Sequence, residues 1–417
     1  MKELINNLKG DKVIWSFVVL LALISFMPVF SASTNLVYVI GKGSTIGYLI
    51  KHFAHICIGF GLIYLVHKVP YHYYRGLSQI ALPIVALLLV YTFFQGTVID
   101  GANASRWIQV PFIGVTFQTS ALASIVLMVY VARYLAKMDG KEITFKQSFF
   151  ELWVPVFIIL ALILPANFST AALIFSMVCM LVFIGKYPMR YLGTIIGMGV
   201  AMLALFVLFA KAFPDVIPNR VDTWISRVER FWTDAPDEDD YQIEKAKIAI
   251  ATGGVYGLGP GKSVQKNFLP QSSSDFIFAI ICEELGFFGA ALLIFVFVGI
   301  LLAGVSIIGG RSSPAGSDPE TARKAVPDFS RLFGFGILLT FGLQSVINIA
   351  VVTGLAPTKG IALPLVSQGG TGWVLTAFSL GLLIAMDRRA WAVSARAGRI
   401  DSSDETQLPS GLKFGDA

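Results

Sequence analysis

Long apolar runs with almost no charge constrain this chain more than any other feature of its sequence. The segment 13–30, "VIWSFVVLLALISFMPVF", carries no formal charge, and the segment 194–213 carries only Lys211. A helix needs about 20 apolar residues to cross the hydrocarbon core of a bilayer. Since 55% of the 417 residues are hydrophobic and 14% are charged, the chain is predicted to be a membrane protein and not a soluble globule.

The apolar runs predict an all-α polytopic membrane protein with ten transmembrane helices. The fifth and sixth spans form a tight pair, and the eighth is long enough to tilt or bend. The first run is longer than the apolar part of a typical signal peptide, so we interpret it as an uncleaved helix. The predicted spans cover about 13–31, 46–66, 78–95, 114–135, 150–164, 169–185, 191–212, 276–308, 330–352 and 371–387.

The distribution of Lys and Arg predicts that both termini lie in the cytoplasm. With the N-terminus inside, the inner segments hold most of the 32 basic residues, among them Lys137, Arg323 and Arg388. Positive charge is retained on the inner side of membrane proteins, and an even number of spans returns the C-terminus to that side. The net charge of +6 is thereby explained by anchoring at the inner face, and no motif indicates a nucleic-acid partner.

The polar segments divide the chain into a membrane domain, 1–398, and a disordered cytoplasmic tail, 399–417. A large outer (periplasmic) loop at about 213–275 and a flexible inner loop at about 309–328 interrupt the spans. In the outer loop, "RVDTWISRVERFW" (220–232) predicts a short helix. That helix would lie in the headgroup plane or pack on the rest of the loop. A second helix would end at the glycines of "KIAIATGG".

The stretch "GLGPGKSVQKNFLPQSSSDFIF" (257–278) superficially resembles a phosphate-binding loop. The Walker pattern needs a glycine five residues before the glycine of Gly-Lys-Ser, but that position is Tyr256. The segment before the loop is predicted to be a helix where a strand is required, and topology places the loop outside the cell. We therefore exclude nucleotide binding here.

Three cysteines are interpreted as small buried apolar side chains. A metal or redox site would need them close together, whereas they fall in separate predicted spans. Their number and separation therefore give no support to a cysteine-based cofactor. The three are Cys57, Cys179 and Cys282.

One acidic residue, Asp275, stands on the water side of the mouth of the eighth span. Glu283 and Glu284 follow within that span. For these two glutamates, pairing with basic residues of neighbouring helices and a functional role are equally compatible with the sequence. For Asp275, partial withdrawal from water beside Gly- and Ser-rich backbone favours chemistry, because it raises the pKa of a carboxyl and creates a usable general base.

Three motifs resemble the SEDS family (FtsW/RodA/SpoVE), and the resemblance covers nearly the whole chain. "GPGKSVQKNFLPQSSSDFIFAIICEELGFFGA" (259–290) is similar to the signature segment of the family. "GANASRWIQV" (101–110) and "GLAPTKGIALPLVSQGGTG" (354–372) resemble its first outer-loop motif and its closing motif. The "PTKG" of the closing motif and the "FSAS" after the first span are more like the division branch of the family than the elongation branch.

This resemblance implies a peptidoglycan glycosyltransferase that polymerises lipid II at the outer face of the inner membrane during division. Asp275 matches the catalytic acid of the family, and it would take the proton from the 4-hydroxyl of an incoming GlcNAc. Arg106, Lys359, Lys262 or a divalent metal, Mg²⁺ or Mn²⁺, would steady the departing undecaprenyl pyrophosphate. The further residues implied are Ser367, Gly369 and Gly370 for substrate binding and Trp107, Gln265, Pro270, Glu283, Glu284 and Pro364 in supporting roles.

The sequence also departs from the family pattern inside the membrane. Where the family often has an acid and a lysine in the fourth span, this chain has Ala121 and Ser124. These losses argue against a proton or salt-bridge relay inside the membrane. The other departures are Asn167, Gln271, Ser273 and Ser274, and the basic residues that open the second span, interpreted as snorkelling or structural, are Lys51, His52 and His55.

Two other functions stay open at this level: a lipid II flippase or other transporter, and a non-catalytic scaffold of the division machinery. A carrier would need ionisable groups near the midplane of the membrane, which this chain has lost there. A scaffold would leave Asp275 unexplained. The resemblance further implies a location at the division septum and a partner of the class B penicillin-binding type, an FtsI-type transpeptidase, together with other divisome proteins.

Overall fold

The computed structural model describes residues 11–38, 44–69, 72–95, 107–109, 116–213, 238–269, 272–309, 328–357, 360–368, 370 and 372–387. These residues form a helical fold with one small hairpin, so the predicted helical architecture is confirmed. The helices are α1 Lys12–Tyr38, α2 Thr45–Val66, α3 His72–Gln95, α4 Thr119–Met138, α5 Phe145–Ile163, α6 Phe168–Ile184, α7 Met189–Ala212, α8 Glu238–Gly253, α9 Ile277–Ile308, α10 Asp328–Val352 and α11 Gly372–Asp387.

Eight of the described helices are long and apolar enough to cross a membrane, namely α1 to α5, α7, α9 and α10. Two more, α6 and α11, are apolar but shorter. These ten helices follow the order of the ten predicted spans, and the number of spans stays a prediction. The tail, 399–417, and the 220–232 segment lie outside the described residues, as does the inner loop apart from its two end residues.

Helix α4 forms the centre of the bundle. Most of its residues are buried, because α3, α5, α6 and α10 all pack around it. Helix α7 is the opposite case, since it contacts α6 and leaves most of its apolar side chains exposed. In a membrane such an apolar surface faces lipid and needs no protein cover. The site described below lies beside α4, where the helices surround a cavity.

A short hairpin before α4 is not part of the all-α prediction. Strand β1, Trp107–Gln109, pairs antiparallel with β2, Thr116–Gln118, with Trp107 opposite Gln118. The aromatic and β-branched residues of these two segments favour extended backbone, and this local preference prevails over the apolar run that predicts helix from 114. Helix α4 therefore begins at Thr119, immediately after β2.

The cysteines lie apart, and each is free. Cys282 is buried and Cys179 is partly buried, in agreement with the prediction of apolar packing. Cys57 is exposed on α2, so the prediction of burial is wrong there. The long apolar span accounts for this difference, because its outward side faces lipid and need not be covered by protein.

Helix α9 is interrupted at Gly286, where φ is 63° and ψ is −159°. This break divides α9 into a short segment, 277–285, and a long one, 287–308. At about 1.5 Å per residue the long segment is about 33 Å, enough to cross the hydrocarbon core. The long segment is therefore sufficient for a span by itself, and the short segment is the one that follows Asp275 and contains both glutamates.

The loop after α8 packs its backbone into the break. Leu258 N and Gly259 N donate to the carbonyls of Glu283 and Glu284 at 2.9 and 3.0 Å, and Phe287 N donates to the carbonyl of Gly254 at 2.9 Å. The interruption removes helical partners from these groups, and the loop replaces them, as a protein interior requires. The outer loop and the short segment of α9 are therefore one hydrogen-bonded unit.

Replacing Gly286 with alanine should destabilise the protein. Its φ lies in the left-handed region, and a Cβ there would stand 2.5 Å from the carbonyl oxygen of Val255. We expect a cost of about 1–3 kcal/mol, seen as a lower unfolding temperature in detergent by intrinsic fluorescence. The matched control is Gly197→Ala in α7, where a Cβ meets nothing within 4 Å. Equal unfolding temperatures for the two variants would contradict the close packing at the break.

Candidate functional site

Asp275 lies in the turn 272–276 that leads into α9, and it is half-buried. Its carboxylate approaches the loop 360–368, because a Cβ at Gly360 would stand 2.9 Å from Oδ2 of Asp275. Any side chain at position 360 would therefore crowd the carboxylate. The absence of a side chain at Gly360 leaves room for this approach, which brings the predicted catalytic acid against the closing motif.

Two hydrogen bonds fix the backbone of the Asp275 turn to the same loop, and a third lies within that loop. The hydroxyl of Ser367 donates to the carbonyl of Ser274 at 2.6 Å and accepts from Leu363 N at 2.8 Å. Gln368 N donates to the carbonyl of Ser273 at 2.8 Å. These bonds give Ser367, predicted to bind substrate, a structural role, and they place two motifs far apart in sequence side by side.

A cavity of about 140 Å³ lies between α4, α6, α10, α11 and the loop 360–368, and Asp275 is not among the residues that line it. Gly360, which Asp275 approaches, belongs to its wall, as do Ala121 and Pro364. None of the residues of this wall, all of which the structure describes, is ionisable. Its polar side chains are Gln118, Ser120, Ser124, Thr170, Thr340, Gln344, Ser367, Thr376 and Ser379.

The two glutamates of α9 lie away from this cavity and hold the outer loop. The side chain of Glu283 is 1% exposed and accepts from the hydroxyl of Ser263, from Val264 N at 2.9 Å and from Gln265 N at 3.2 Å. A buried carboxylate that accepts several N–H and O–H donors compensates for the water it has lost. The role of Glu283 in the described fold is therefore to shape the loop 263–265.

Glu284 extends this polar cluster to the first helix. One oxygen, Oε1, accepts from the hydroxyl of Ser31 in α1 and from Ser263 N at 3.2 Å. Lys266 Nζ donates to the hydroxyl of Ser31 at 3.1 Å and to the carbonyl of Gly261 at 2.9 Å. The cluster thus joins α1, the outer loop and α9, with two acids and one base withdrawn from water.

The remaining residues of the sequence-based site fall at different places. Trp107 is half-buried in β1 opposite Gln118 of the cavity wall, and Gln265 binds Glu283 through its backbone. Lys262 is exposed on the outer loop. Gly370 lies against the imidazole of His55, which a Cβ there would overlap. Arg106, Pro270, Lys359 and Gly369 lie outside the described residues.

The polar residues that open α2 have mixed environments. Lys51 is exposed, whereas His52 is 3% exposed and lies with Nε2 2.8 Å from the hydroxyl of Ser25 in α1. That contact fits the structural interpretation of His52. His55 is half-buried and reaches the start of α11, a contact that the sequence does not indicate.

The residues that make these contacts but are absent from the predicted site include Asn348, Lys266, Ser31 and Ser263. Asn348 is the most relevant, because its side-chain amide donates to the backbone of Asp275. The sequence does contain a signal for Asn348, because "SVINIAVV" places one carboxamide in an apolar helix. A buried amide in such a helix must find hydrogen-bond partners. Its partners lie 13 and 73 residues away, which no local pattern indicates.

The two carboxylates of α9 should respond differently to conversion into amides. Glu283→Gln sets an amide N–H₂ against the N–H groups of loop 263–265 and should cost about 1–3 kcal/mol. Glu284→Gln should cost less, because Oε1 makes the contacts to Ser31 and Ser263 while Oε2 has no hydrogen-bond partner among the described residues. Unfolding temperatures in detergent test this order, and a larger loss in the Glu284 variant would contradict it.

Comparison with known proteins gives one consistent result. The family description "Cell cycle protein" (FtsW/RodA/SpoVE) matches residues 11–391. A protein named probable peptidoglycan glycosyltransferase FtsW from Geobacter sulfurreducens (strain DL-1 / KN400) is 34% identical over 349 residues, covering 82% of this chain and 86% of that protein. Proteins of the same name from Geobacter sp. (strain M18) and Nitrosomonas europaea are 31% and 29% identical, each over 385 residues. These cover 91% and 90% of this chain and 97% and 92% of the relatives.

Solved structures with the same fold are more distant in sequence. A chain from a peptidoglycan synthase complex that coordinates polymerization and crosslinking superimposes with a TM-score of 0.66 at 22% identity. It covers 92% of this chain and 98% of the other. The rod shape determining protein RodA of Thermus thermophilus gives a TM-score of 0.61 at 21% identity over 91% of this chain and 97% of RodA. The overall architecture is therefore a known one.

Proposed function

The chain belongs to the FtsW/RodA/SpoVE family, and on that premise we propose that it is a peptidoglycan glycosyltransferase of the division branch. It polymerises lipid II into glycan strands at the outer face of the inner membrane. The main observation is that a half-buried carboxylate, Asp275, approaches Gly360 in the wall of a cavity that presents hydroxyl and amide groups among apolar side chains. The relatives named FtsW support the choice of branch.

The reaction needs a base at the outer face, and Asp275 supplies one. Its carboxylate takes the proton from the 4-hydroxyl of the acceptor GlcNAc as that oxygen forms a bond to C1 of the donor MurNAc. The bond from C1 to the pyrophosphate oxygen breaks, and undecaprenyl pyrophosphate leaves with the bonding electrons. A single displacement of this kind inverts the anomeric carbon.

The cavity supports a substrate whose recognised part is polar but uncharged. Hydroxyl and amide side chains donate and accept hydrogen bonds, which matches the hydroxyl and acetamido groups of an amino sugar. The pyrophosphate has to find its positive charge elsewhere. We assign that charge to the outer segments, with Arg106, Lys359 and Lys262 as the candidates.

No step of the proposed reaction uses a metal ion. In the parts of the chain that the structure describes, no group of three or more His, Cys, Asp or Glu residues could hold an ion. The buried acids Glu283 and Glu284 already accept hydrogen bonds from Ser31 and the outer loop. A divalent cation therefore has no assigned position here, and basic side chains remain the proposed stabilisers of the leaving group.

We assign a class B penicillin-binding protein as the partner, together with other divisome proteins, at the division septum. The fold supports this, because the similar chain in the peptidoglycan synthase complex superimposes over nearly its full length. Both termini would lie in the cytoplasm. Transport of lipid II is less well supported, since the described cavity wall offers no ionisable group to couple movement to ions.

Replacing Asp275 with asparagine should abolish polymerisation while leaving the fold intact. The amide keeps the shape of the carboxylate but cannot take a proton, so we expect a loss of at least about 100-fold, as for general bases. The assay is glycan formation from labelled lipid II by the purified protein with its transpeptidase partner. Asp139→Asn is the matched control, because Asp139 is exposed at the end of α4. Full activity of the Asp275 variant would refute the assignment.

Filling the cavity should impair substrate binding. Ala121→Phe puts a large side chain into the cavity wall, so we expect at least a tenfold higher KM for lipid II or loss of activity with the unfolding temperature maintained. The control is Ala201→Phe on α7, where the side chain is exposed toward lipid. If both variants polymerise lipid II with the parent KM, the cavity is not the substrate site.

A further inference from the structure

One buried amide on α10 joins the two loops of the candidate site. Asn348 is 2% exposed, and its Nδ2 donates to the carbonyl of Asp275 at 2.8 Å and to the carbonyl of Ile361 at 2.6 Å. A carboxamide nitrogen carries two N–H donors, and both are used here. The first carbonyl belongs to the turn before α9 and the second to the loop before α11.

We propose that Asn348 is a positioning residue that sets the place of the Asp275 carboxylate relative to the closing loop and the cavity. This inference rests on the proposed function of Asp275 as the base. Asn348 binds the backbone of Asp275, whose side chain would react. It therefore fixes the position of the backbone from which that carboxylate projects. The second hydrogen bond fixes Ile361, which lines the cavity and follows Gly360.

The chemistry of the contact explains why a carboxamide is needed. Two carbonyl oxygens that converge on one point repel each other unless a donor with two hydrogens lies between them. Leucine is close in volume but has no donor, aspartate as a carboxylate is acceptor-only, and serine has a single hydroxyl. Each replacement would leave at least one partly buried carbonyl without its partner, and the turn before α9 would shift to find another.

A small shift of this turn has a large kinetic effect and a small effect on binding. Displacing a catalytic group by about 1 Å can cost about 100-fold in rate. Ile361 is one of many residues in the cavity wall, and the substrate contacts made by the rest of that wall depend on neither carbonyl that Asn348 binds. Loss of Asn348 should therefore lower kcat and leave KM nearly unchanged, which distinguishes a positioning role from a general loss of structure.

Kinetics of a graded series test the proposal. With labelled lipid II and the transpeptidase partner present, we expect kcat to fall at least tenfold in Asn348→Leu and Asn348→Asp and less in Asn348→Ser. KM should stay within about twofold of the parent. The control is Ser345→Ala, one turn earlier on α10, because Ser345 is 4% exposed and its hydroxyl donates only to Phe341 of its own helix. A parent-like kcat in the leucine variant, or a change confined to KM, would overturn the proposal.

A second measurement, the rate of chemical modification at residue 275, reports on the position of that residue and does not require an active enzyme. Asp275→Cys is combined with Asn348→Ser, with Asn348→Leu and with Ser345→Ala, and modification at position 275 by a water-soluble maleimide is followed by peptide mass. We expect a rate changed at least threefold by either Asn348 substitution and unchanged by the Ser345 substitution. Equal rates throughout would overturn the positioning role.

The two measurements separate the proposals. If the parent protein makes no glycan while the labelling rates differ, the proposed function fails and the contact stands. If the parent makes glycan and the Asn348 variants match it in kcat and labelling, the inference alone fails. Should the leucine variant not fold, the serine variant retains a hydroxyl donor and supplies both measurements.

Discussion

The backbone hydrogen bonds at the break in α9 are the interaction on which the outer half of this protein depends. Once Gly286 leaves helical geometry, the carbonyls of Glu283 and Glu284 need donors, and Leu258 and Gly259 provide them. The loop after α8 and the interrupted start of α9 cannot form separately, because each would leave backbone groups at the edge of the membrane without hydrogen bonds. The start of α9, with its two glutamates, therefore folds together with the outer loop. The turn that carries Asp275 leads directly into this unit, and its position depends on it.

Charge is separated from the centre of the bundle in a consistent way. The polar groups of the cavity wall are hydroxyls and amides set among apolar side chains, while Asp275, Glu283 and Glu284 lie in the short segment of α9 and in the turn ahead of it. A cavity with neutral polar groups costs less inside a membrane than a charged one, and its hydroxyl and amide groups suit a sugar. This division of labour suits an enzyme that reacts at the membrane surface with a substrate anchored by a lipid.

The sequence was sufficient for the membrane architecture because apolar length is a local property. The limits of α2, α9 and α10 agree with the apolar runs to within about two residues, a normal margin. The hairpin at Trp107 was not foreseen, since a three-residue strand is too short to show alternation. The interruption at Gly286 was foreseen only as a bend, because its partners come from the loop after α8.

For the site, residue type and motif resemblance singled out Asp275, but they could not supply its surroundings. The contact with Gly360, the donation from Asn348 and the bond from Ser367 all join segments distant in the chain. The sequence left open whether Glu283 and Glu284 are structural. Their contacts with N–H groups of the outer loop and with the hydroxyls of Ser31 and Ser263 favour the structural interpretation. The role of each of these acidic residues depends on its hydrogen-bond partners from distant parts of the chain, and only the folded structure defines those partners.

The interruption of α9 has a mechanical consequence. The loop after α8 is hydrogen-bonded to both sides of the break, to Glu283 and Glu284 of the short segment and to Phe287 of the long one. These bonds hold the break in one geometry, so the loop and the two segments of α9 should move as one stiff body that ends at the turn of Asp275. A force applied to this loop would therefore be transmitted to the backbone beside Asp275 and not absorbed at the break.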